Sequence, residues 1–270
     1  MAPNTKVTAL IMAGKRSGAL DPLAERAGVA QKCVVPVNGV AMVARVTQAV
    51  ANTPQVDQIR IVAHEPEEIA AQPIVAKLIA EGRLAFAKGQ FNIVDSVVEG
   101  AKDVEFPLVI TTADNCLVTP EGYSEFISKA LAAEAGCAAG LARKEDVQAA
   151  DPDGQKRFYG FQDGDFSNCN MYWIGSAKAL SAAEVMRGGG QFIKFPSRII
   201  KAFGLMNLVR FKLGNSSKEK LFTQISKRFG FKVVPIELSD GHFAIDVDNE
   251  RTFDVTEKIL KQREGDKAAA

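Results

Sequence analysis

Short apolar runs separated by amphipathic stretches set the rhythm of the first half of the chain. Val7–Met12 is one such run, and it ends in a glycine-containing loop at 13–18. A second run at 34–37 leads into a helical pattern over 40–50, and 58–63 predicts a strand. Residues 66–80 carry helical periodicity, 84–87 predict a short strand, and a helix follows Asn92, whose side chain suits an N-cap. Ile93, Val94, Val97, Val98 and Ala101 form the apolar stripe of that helix. Residues 107–111 read as a buried strand. Thr119-Pro120-Glu121 reads as a helix start, because proline costs nothing where the N–H is unpaired anyway. Strands and helices alternating at this spacing predict an α/β fold. It is a Rossmann-like three-layer αβα domain with a mostly parallel sheet and helices on both faces.

The second half is less regular. Residues 157–165 predict a hairpin around Asp163-Gly164, and 170–174 a further strand. Gly188-Gly189-Gly190 is a break, followed by a basic helical segment to about Gly230. Strands are expected at 232–238 and 243–247, and a closing helix at 249–262. With no internal repeat and no low-complexity linker, residues 1–270 read as a single domain, with 187–230 an inserted basic amphipathic helical subregion.

Apolar residues make up 47% of the chain, enough for a core. No uncharged run approaches the roughly 18 residues of a membrane span, and the opening Met-Ala-Pro-Asn-Thr-Lys predicts no secretory signal. Cys33, Cys116, Cys137 and Cys169 are scattered, no C-x-x-C occurs, and the chain has two histidines. That spacing argues against a zinc site or a disulfide framework and predicts a cytoplasmic protein.

Three stretches carry candidate chemistry. In the first loop, Met12-Ala13-Gly14 would let backbone N–H groups approach an anion, and Lys15 and Arg16 would neutralise phosphate charge. Neither a Walker A loop nor G-x-G-x-x-G is present. Asp114 directly follows a buried strand, at the sheet edge where open α/β folds bind ligands, and is a hard oxygen donor for Mg²⁺ (or Mn²⁺). Gly89-Gln90 leads into a helix that carries Ser96, so backbone donors and a hydroxyl stand ready for a nucleobase edge.

In these stretches the chain resembles nucleotidyltransferases of the glycosyltransferase-A-like superfamily, in particular the molybdenum-cofactor-guanylyltransferase-like (MobA-like) branch and small cytidylyltransferases. The opening pattern stands as Leu10-Ile11-Met12-Ala13-Gly14-Lys15-Arg16, then Lys32, then Val37-Asn38-Gly39-Val40-Ala41-Met42. Ala13 replaces a glycine, the arginine is displaced and Ala41 replaces a proline. Asp114-Asn115-Cys116-Leu117-Val118-Thr119-Pro120-Glu121 matches the second motif, with Cys116 where proline is usual. Ala244-Ile245-Asp246-Val247-Asp248, completed by Asp254-Val255, matches the third.

The resemblance implies that Lys32 holds the triphosphate, with Lys15 and Arg16 helping, that Asp114 and Asp246 bind the metal, and that Asp248 caps the last helix. The stretch from Gly89 to Gly100 looks like the element that reads cytosine, which favours CTP, with GTP next. Ser167-Asn168-Cys169-Asn170-Met171-Tyr172 resembles the strand beneath the acceptor, so Asn170 is expected to touch substrate. The implied reaction joins an NTP to a phosphorylated small molecule or lipid precursor and releases pyrophosphate. Two alternatives stand beside it. One is a sugar transferase using Asp246-Val247-Asp248 as a metal-binding D-x-D; the other is a non-catalytic nucleotide-binding protein recruited to membranes.

Charge then changes the picture. The chain carries 33 Lys+Arg against 32 Asp+Glu. Between Arg187 and Lys232, however, eleven basic residues face the single acid Glu219, a local charge of +10, which leaves −9 for the rest. Lys194, Arg198 and Lys201 form one helical stripe, and Phe195, Ile199, Ala202, Phe203 and Met206 another. A basic amphipathic helix over 190–213 predicts peripheral contact with an anionic membrane, at the inner face, or a grip on a phosphorylated acceptor. Nucleic acid is not expected, because the aromatic residues lie inside the apolar stripe.

Overall fold

The computed structural model describes residues 5–14, 20–186 and 216–269. Along the chain run β1 (Val7–Met12), α1 (Pro22–Ala27), β2 (Pro36–Val37), β3 (Val40–Ala41), α2 (Met42–Ala51) and β4 (Val56–Ala63). Then come α3 (Glu67–Ala70), α4 (Pro73–Ala80), β5 (Leu84–Lys88), α5 (Ile93–Gly100), β6 (Leu108–Thr112) and α6 (Pro120–Ala132). β7 (Cys137–Arg143), α7 (Lys144–Ala150), β8 (Tyr159–Phe161) and β9 (Gly164–Ile174) follow. Beyond the 187–215 stretch lie α8 (Lys218–Phe229), β10 (Val233–Glu237) and α9 (Glu250–Ala269).

The main sheet has the order β10-β7-β9-β6-β1-β4-β5, with β8 paired to β9. β9 runs antiparallel to its neighbours β6, β7 and β8, and the other pairings in this sheet are parallel. β1 is central and buried on both faces, as its unbroken apolar run requires in a parallel sheet. Alternation along the strand divides the core. Val7, Ala9 and Ile11 join residues of α2, α4, α6 and α9 in one cluster, while Leu10 joins Val97 and Ala101 on the α5 side. The chain passes from β1 to β4 and β5 on one side, then crosses to β6 on the other. A crevice therefore opens at the carboxyl edge between β1 and β6.

Several expectations need correction. The 66–80 helix is two helices, because Pro73 interrupts it and starts α4. Ile93 and Val98 are exposed rather than part of the α5 stripe. Residues 243–247 form no strand: Gly241–Ala244 is a 3-10 turn, and an extended stretch without ladder partners follows. That apolar run reports burial, which short runs do not distinguish from strand pairing. β7 and α7 had no sequence signal, since Cys137-Ala138-Ala139-Gly140-Leu141-Ala142-Arg143 lacks β-branched residues. Pairing on both sides, with β9 and β10, makes β7 a strand.

The expected basic helix at 190–213 lies outside the described residues. Within the remainder of the inserted region, α8 is capped by Ser217 and ends at Gly230 in the left-handed conformation. Its first residue, Lys218, is 6% exposed. The ammonium meets Asp163 (3.1 Å), Glu237 (3.0 Å) and Glu219 (3.2 Å), and lies 4.4 Å from the centre of the Phe166 ring. One charge of the basic segment is therefore consumed inside the fold, fastening α8 to β9 and β10. No helix among the described residues is long and apolar enough to cross a membrane.

Removing a buried cation strands its acids, whereas an exposed pair contributes little. Lys218→Ala should lower stability by about 2 kcal/mol in urea unfolding. Lys261→Ala, which removes only the exposed pair with Glu257, should cost under about 0.5 kcal/mol.

Candidate active site

Met12 and Thr112 are paired at the ends of β1 and β6, and the Ala113 N–H donates to the Met12 carbonyl (3.0 Å). The chain then turns, so Asp114 stands just above the β1–β6 crevice. Two bonds lock this turn to neighbouring segments. The Val247 N–H donates to the Asp114 carbonyl (3.1 Å), and Asn115 Nδ2 donates to the Cys169 carbonyl (2.7 Å). Asn115 is 1% exposed, so the second bond is internal.

The segment bearing Asp246 is held by packing rather than by a ladder. A Cβ at Gly122 of α6 would lie 2.5 Å from Phe243 Cζ, and one at Gly154 would clash with Ile245 Cδ1. These two glycines make notches that receive the apolar run. Beyond it the Asp248 N–H donates to the Asp246 carbonyl (3.1 Å), a tight turn about Val247 that keeps the two acids close together. Asp114, Asp246 and Asp248 each place a carboxylate oxygen within 4.8 Å of the others.

Lys32 sits on a 3-10 turn (Lys32–Val34) anchored by Gln31 Nε2 donating to the Glu65 carbonyl (2.9 Å). Its ammonium donates to Asp114 Oδ2 (2.8 Å) and Asp248 Oδ1 (3.3 Å). Burial, reinforced by the charges of Asp114 and Asp248, pushes the Asp246 carboxyl up to about 7. Burial by itself would lower Lys32, but Asp114, then Asp248 and Asp246, hold it above its ordinary value. Asn170 joins the group, with Nδ2 donating to Asp246 Oδ2 (3.2 Å). Burial pushes the Cys33 thiol up to about 12 and raises Cys116 as well, so neither supplies a thiolate here.

A second cluster forms at the ends of β4 and β5. The His64 ring lies between the first loop and the Gly89 loop. A Cβ at Gly89 would be 2.7 Å from His64 Nδ1, and one at Gly14 would be 3.8 Å from Cε1. His64 Nε2 is 3.2 Å from the Gln90 carbonyl, which can only accept, so Nε2 carries the hydrogen. The Gln90 N–H donates to Ser96 Oγ (2.8 Å), and that hydroxyl donates back to the Gln90 carbonyl (3.3 Å). Ser96 thus shapes the loop from beneath, while Phe91 beside it is 94% exposed. The carboxylates at β6 and the Gly89 loop at β5 are three strand spacings apart, about 14 Å.

Lys32, Asp114, Asp246 and Asn170 therefore meet at one point. Met12, Ala13, Gly14, Gly89 and Gln90 fall along the same sheet edge toward β5, but the expected free donors are largely spent. The Ala13 and Gly89 N–H groups donate to the Val62 and Ala63 carbonyls (2.9 and 2.7 Å), and the Gln90 N–H and the buried Ser96 hydroxyl bond to each other's residue. Lys15 and Arg16 lie outside the described residues. Asp248 was expected as a helix cap, but Asn249 fills that role, its Oδ1 accepting from the Thr252 N–H (3.3 Å), and Asp248 faces Lys32 instead. The two-residue spacing from Asp246 is the signal that marks it. Nothing local marks His64, whose place depends on two loops distant in sequence.

No family model matches the sequence, and no curated protein matches it. Solved structures do match. One is a hypothetical transferase from Thermus thermophilus, 20% identical, with TM-score 0.75, 92% of this chain covered and 100% of that one. Another is the 4-diphosphocytidyl-2C-methyl-D-erythritol synthase of Anaerococcus prevotii, 10% identical, with TM-score 0.56 and 96% and 98% covered. A CMP:2-keto-3-deoxy-manno-octonic acid synthetase solved with CTP is 11% identical, with TM-score 0.55 and 96% and 100% covered. This chain shares their fold.

The raised Asp246 carboxyl has a consequence for stability. The folded chain retains a proton up to about pH 7 that the unfolded chain loses near 3.8. The resulting stabilisation is complete below that lower value and is lost as pH rises through the higher one. In EDTA, Asp246→Asn should therefore be more stable than the parent at pH 8, by up to about 4 kcal/mol. The gap should close by about pH 4, as read from urea unfolding across pH.

Proposed function

We propose that the chain is a nucleotidyltransferase that transfers a nucleoside monophosphate from an NTP to a phosphorylated small molecule or lipid precursor, releasing pyrophosphate. The observation that carries this reading is the meeting of Lys32, Asp114, Asp246 and Asp248 at the β1–β6 crevice. The glycine loops beside it extend about 14 Å along the sheet edge, a span that an extended nucleotide can bridge. With triphosphate at the carboxylates, the base would lie toward the loop of Gly89 and Gln90, which Ser96 holds from beneath. CTP is favoured and GTP is next. The motif around Ser96 supports that order, as do two structural neighbours whose names specify cytidylyl chemistry.

The three carboxylates suit a hard divalent cation. Their oxygens lie within 4.8 Å of one another, near enough to converge on one octahedral ion, whose ligand oxygens stand ~3.0 to 4.2 Å apart at ~2.1 Å bonds. Asp114, Asp246 and Asp248 would hold Mg²⁺ or Mn²⁺, which when bound supplies charge neutralisation for the phosphates. An acceptor phosphate oxygen attacks the α-phosphorus, the bond from that phosphorus to the bridging oxygen breaks, and pyrophosphate leaves with the electron pair. The attacking phosphate is already ionised at neutral pH, so no side chain has to remove a proton. Lys32 neutralises charge developing on the phosphates, and the remaining acceleration comes from alignment.

The basic segment between Arg187 and Lys232 supports an anionic acceptor, or an anionic membrane surface on which such an acceptor resides. Sedimentation with phosphatidylserine vesicles at low salt, lost at high salt, is the expected sign of the membrane contact. Unchanged partition with neutral vesicles would remove it.

Asp114→Ala should reduce pyrophosphate release from CTP and phosphorylated alcohols or sugars by at least about 10³-fold while leaving the melting temperature nearly unchanged. Full retained activity overturns the assignment. Release of a nucleoside diphosphate in place of pyrophosphate would instead establish a sugar transferase that uses Asp246 and Asp248.

A further inference from the structure

β9 does not run smoothly past the site. Its register against β7 shifts between Ala139 and Leu141, and opposite that shift Asn170 has φ 49°, in the left-handed region. Asparagine tolerates this conformation better than most residues, but some interaction must hold it there.

Asn168 supplies the hold. Its Oδ1 accepts from the Asn170 N–H (3.2 Å), closing an Asx-type turn over the bulge. Its Nδ2 donates to Asn170 Oδ1 (2.9 Å) and to the Tyr172 hydroxyl (2.6 Å). The Asn170 amide then has one available sense. Its oxygen is committed to Asn168, so its Nδ2 faces the other way and donates to Asp246 Oδ2 (3.2 Å). As a cation ligand the Asp246 carboxylate is ionised and can only accept, which makes the two ends of the Asn170 amide complementary to its two partners. Turned the other way, that amide would set its oxygen against the Asp246 carboxylate.

We propose that Asn168, which hydrogen-bonds to no carboxylate among the described residues, is a positioning residue for the cation site. It fixes the backbone and amide sense of Asn170, and through Asn170 it fixes the Asp246 carboxylate. This inference rests on the reading of Asp114, Asp246 and Asp248 as cation ligands. Residues that orient ligands in this way typically change metal affinity about 10- to 100-fold when removed.

The test is Mn²⁺ binding to the full chain without nucleotide, followed by electron paramagnetic resonance of the free ion. Asn168→Leu, close in volume and unable to hydrogen-bond, should weaken Mn²⁺ by about 10-fold or more. Asn170→Gly keeps access to the left-handed backbone and loses the amide, so it should weaken binding by a similar factor. The double variant should be no weaker than Asn170→Gly, because Asn168 acts through Asn170. In turnover, the Mn²⁺ concentration giving half-maximal rate should rise for Asn168→Leu, with the rate at saturating Mn²⁺ nearly unchanged. Asn168→Ala, measured in parallel with thermal melts, gives the same readings should Asn168→Leu fail to fold.

Mn²⁺ binding by the parent chain together with equal binding by Asn168→Leu and Asn168→Ala overturns the positioning role alone. So does an Asn168 effect that persists undiminished in the Asn170→Gly background. A parent chain that binds no Mn²⁺ sinks the carboxylate reading and this inference with it.

Discussion

Three carboxylates whose oxygens lie within 4.8 Å of one another repel, and much of the surrounding architecture keeps them together despite that repulsion. The Val247–Asp114 backbone bond joins the two segments that carry them, and Asn115 ties the same turn to β9. Phe243 and Ile245, seated at Gly122 and Gly154, anchor the stretch leading to Asp246 and Asp248. Lys32 supplies one positive charge to Asp114 and Asp248. Burial first, and the neighbouring charges of Asp114 and Asp248 after it, raise the Asp246 carboxyl to about 7. Strand carboxyl ends and glycine loops leave that edge of the sheet open beside the three carboxylates.

The near-neutral total charge conceals a division of labour. An acidic body holds the carboxylates, and one basic stretch carries +10. Not all of that charge faces outward. Lys218 is turned inward among Asp163, Glu219 and Glu237 and works as a fastener for α8. Counting charges along a sequence treats each lysine alike, whereas burial distinguishes a fastener from a surface that attracts anions.

Much of the first half of the fold was legible because parallel strands buried on both faces leave unbroken apolar runs, and helices leave capping residues. Asn92 and Thr119 both cap the helices expected of them, their side-chain oxygens accepting from Asp95 and Gly122. β7 was not legible, since its small residues carry no periodic signal and its strand character comes from pairing with β9 and β10. The 243–247 run misled for the opposite reason. Its residues are as buried as a strand's, but they fill notches between elements.

By itself the sequence determined the α/β class, the parallel strand–helix alternation, the position of Asp114 just past a strand and the uneven distribution of charge. These follow from local periodicity, capping chemistry and composition, all of which a linear chain displays. Only the tertiary structure decided that Lys32 meets Asp114 and Asp248 across 82 and 216 residues of chain, and that His64 wedges between two glycine loops. It also decided that Asn168 orients Asn170 toward Asp246. Those relations depend on where strand ends fall within a sheet whose order differs from the order of the chain, and no local pattern encodes that.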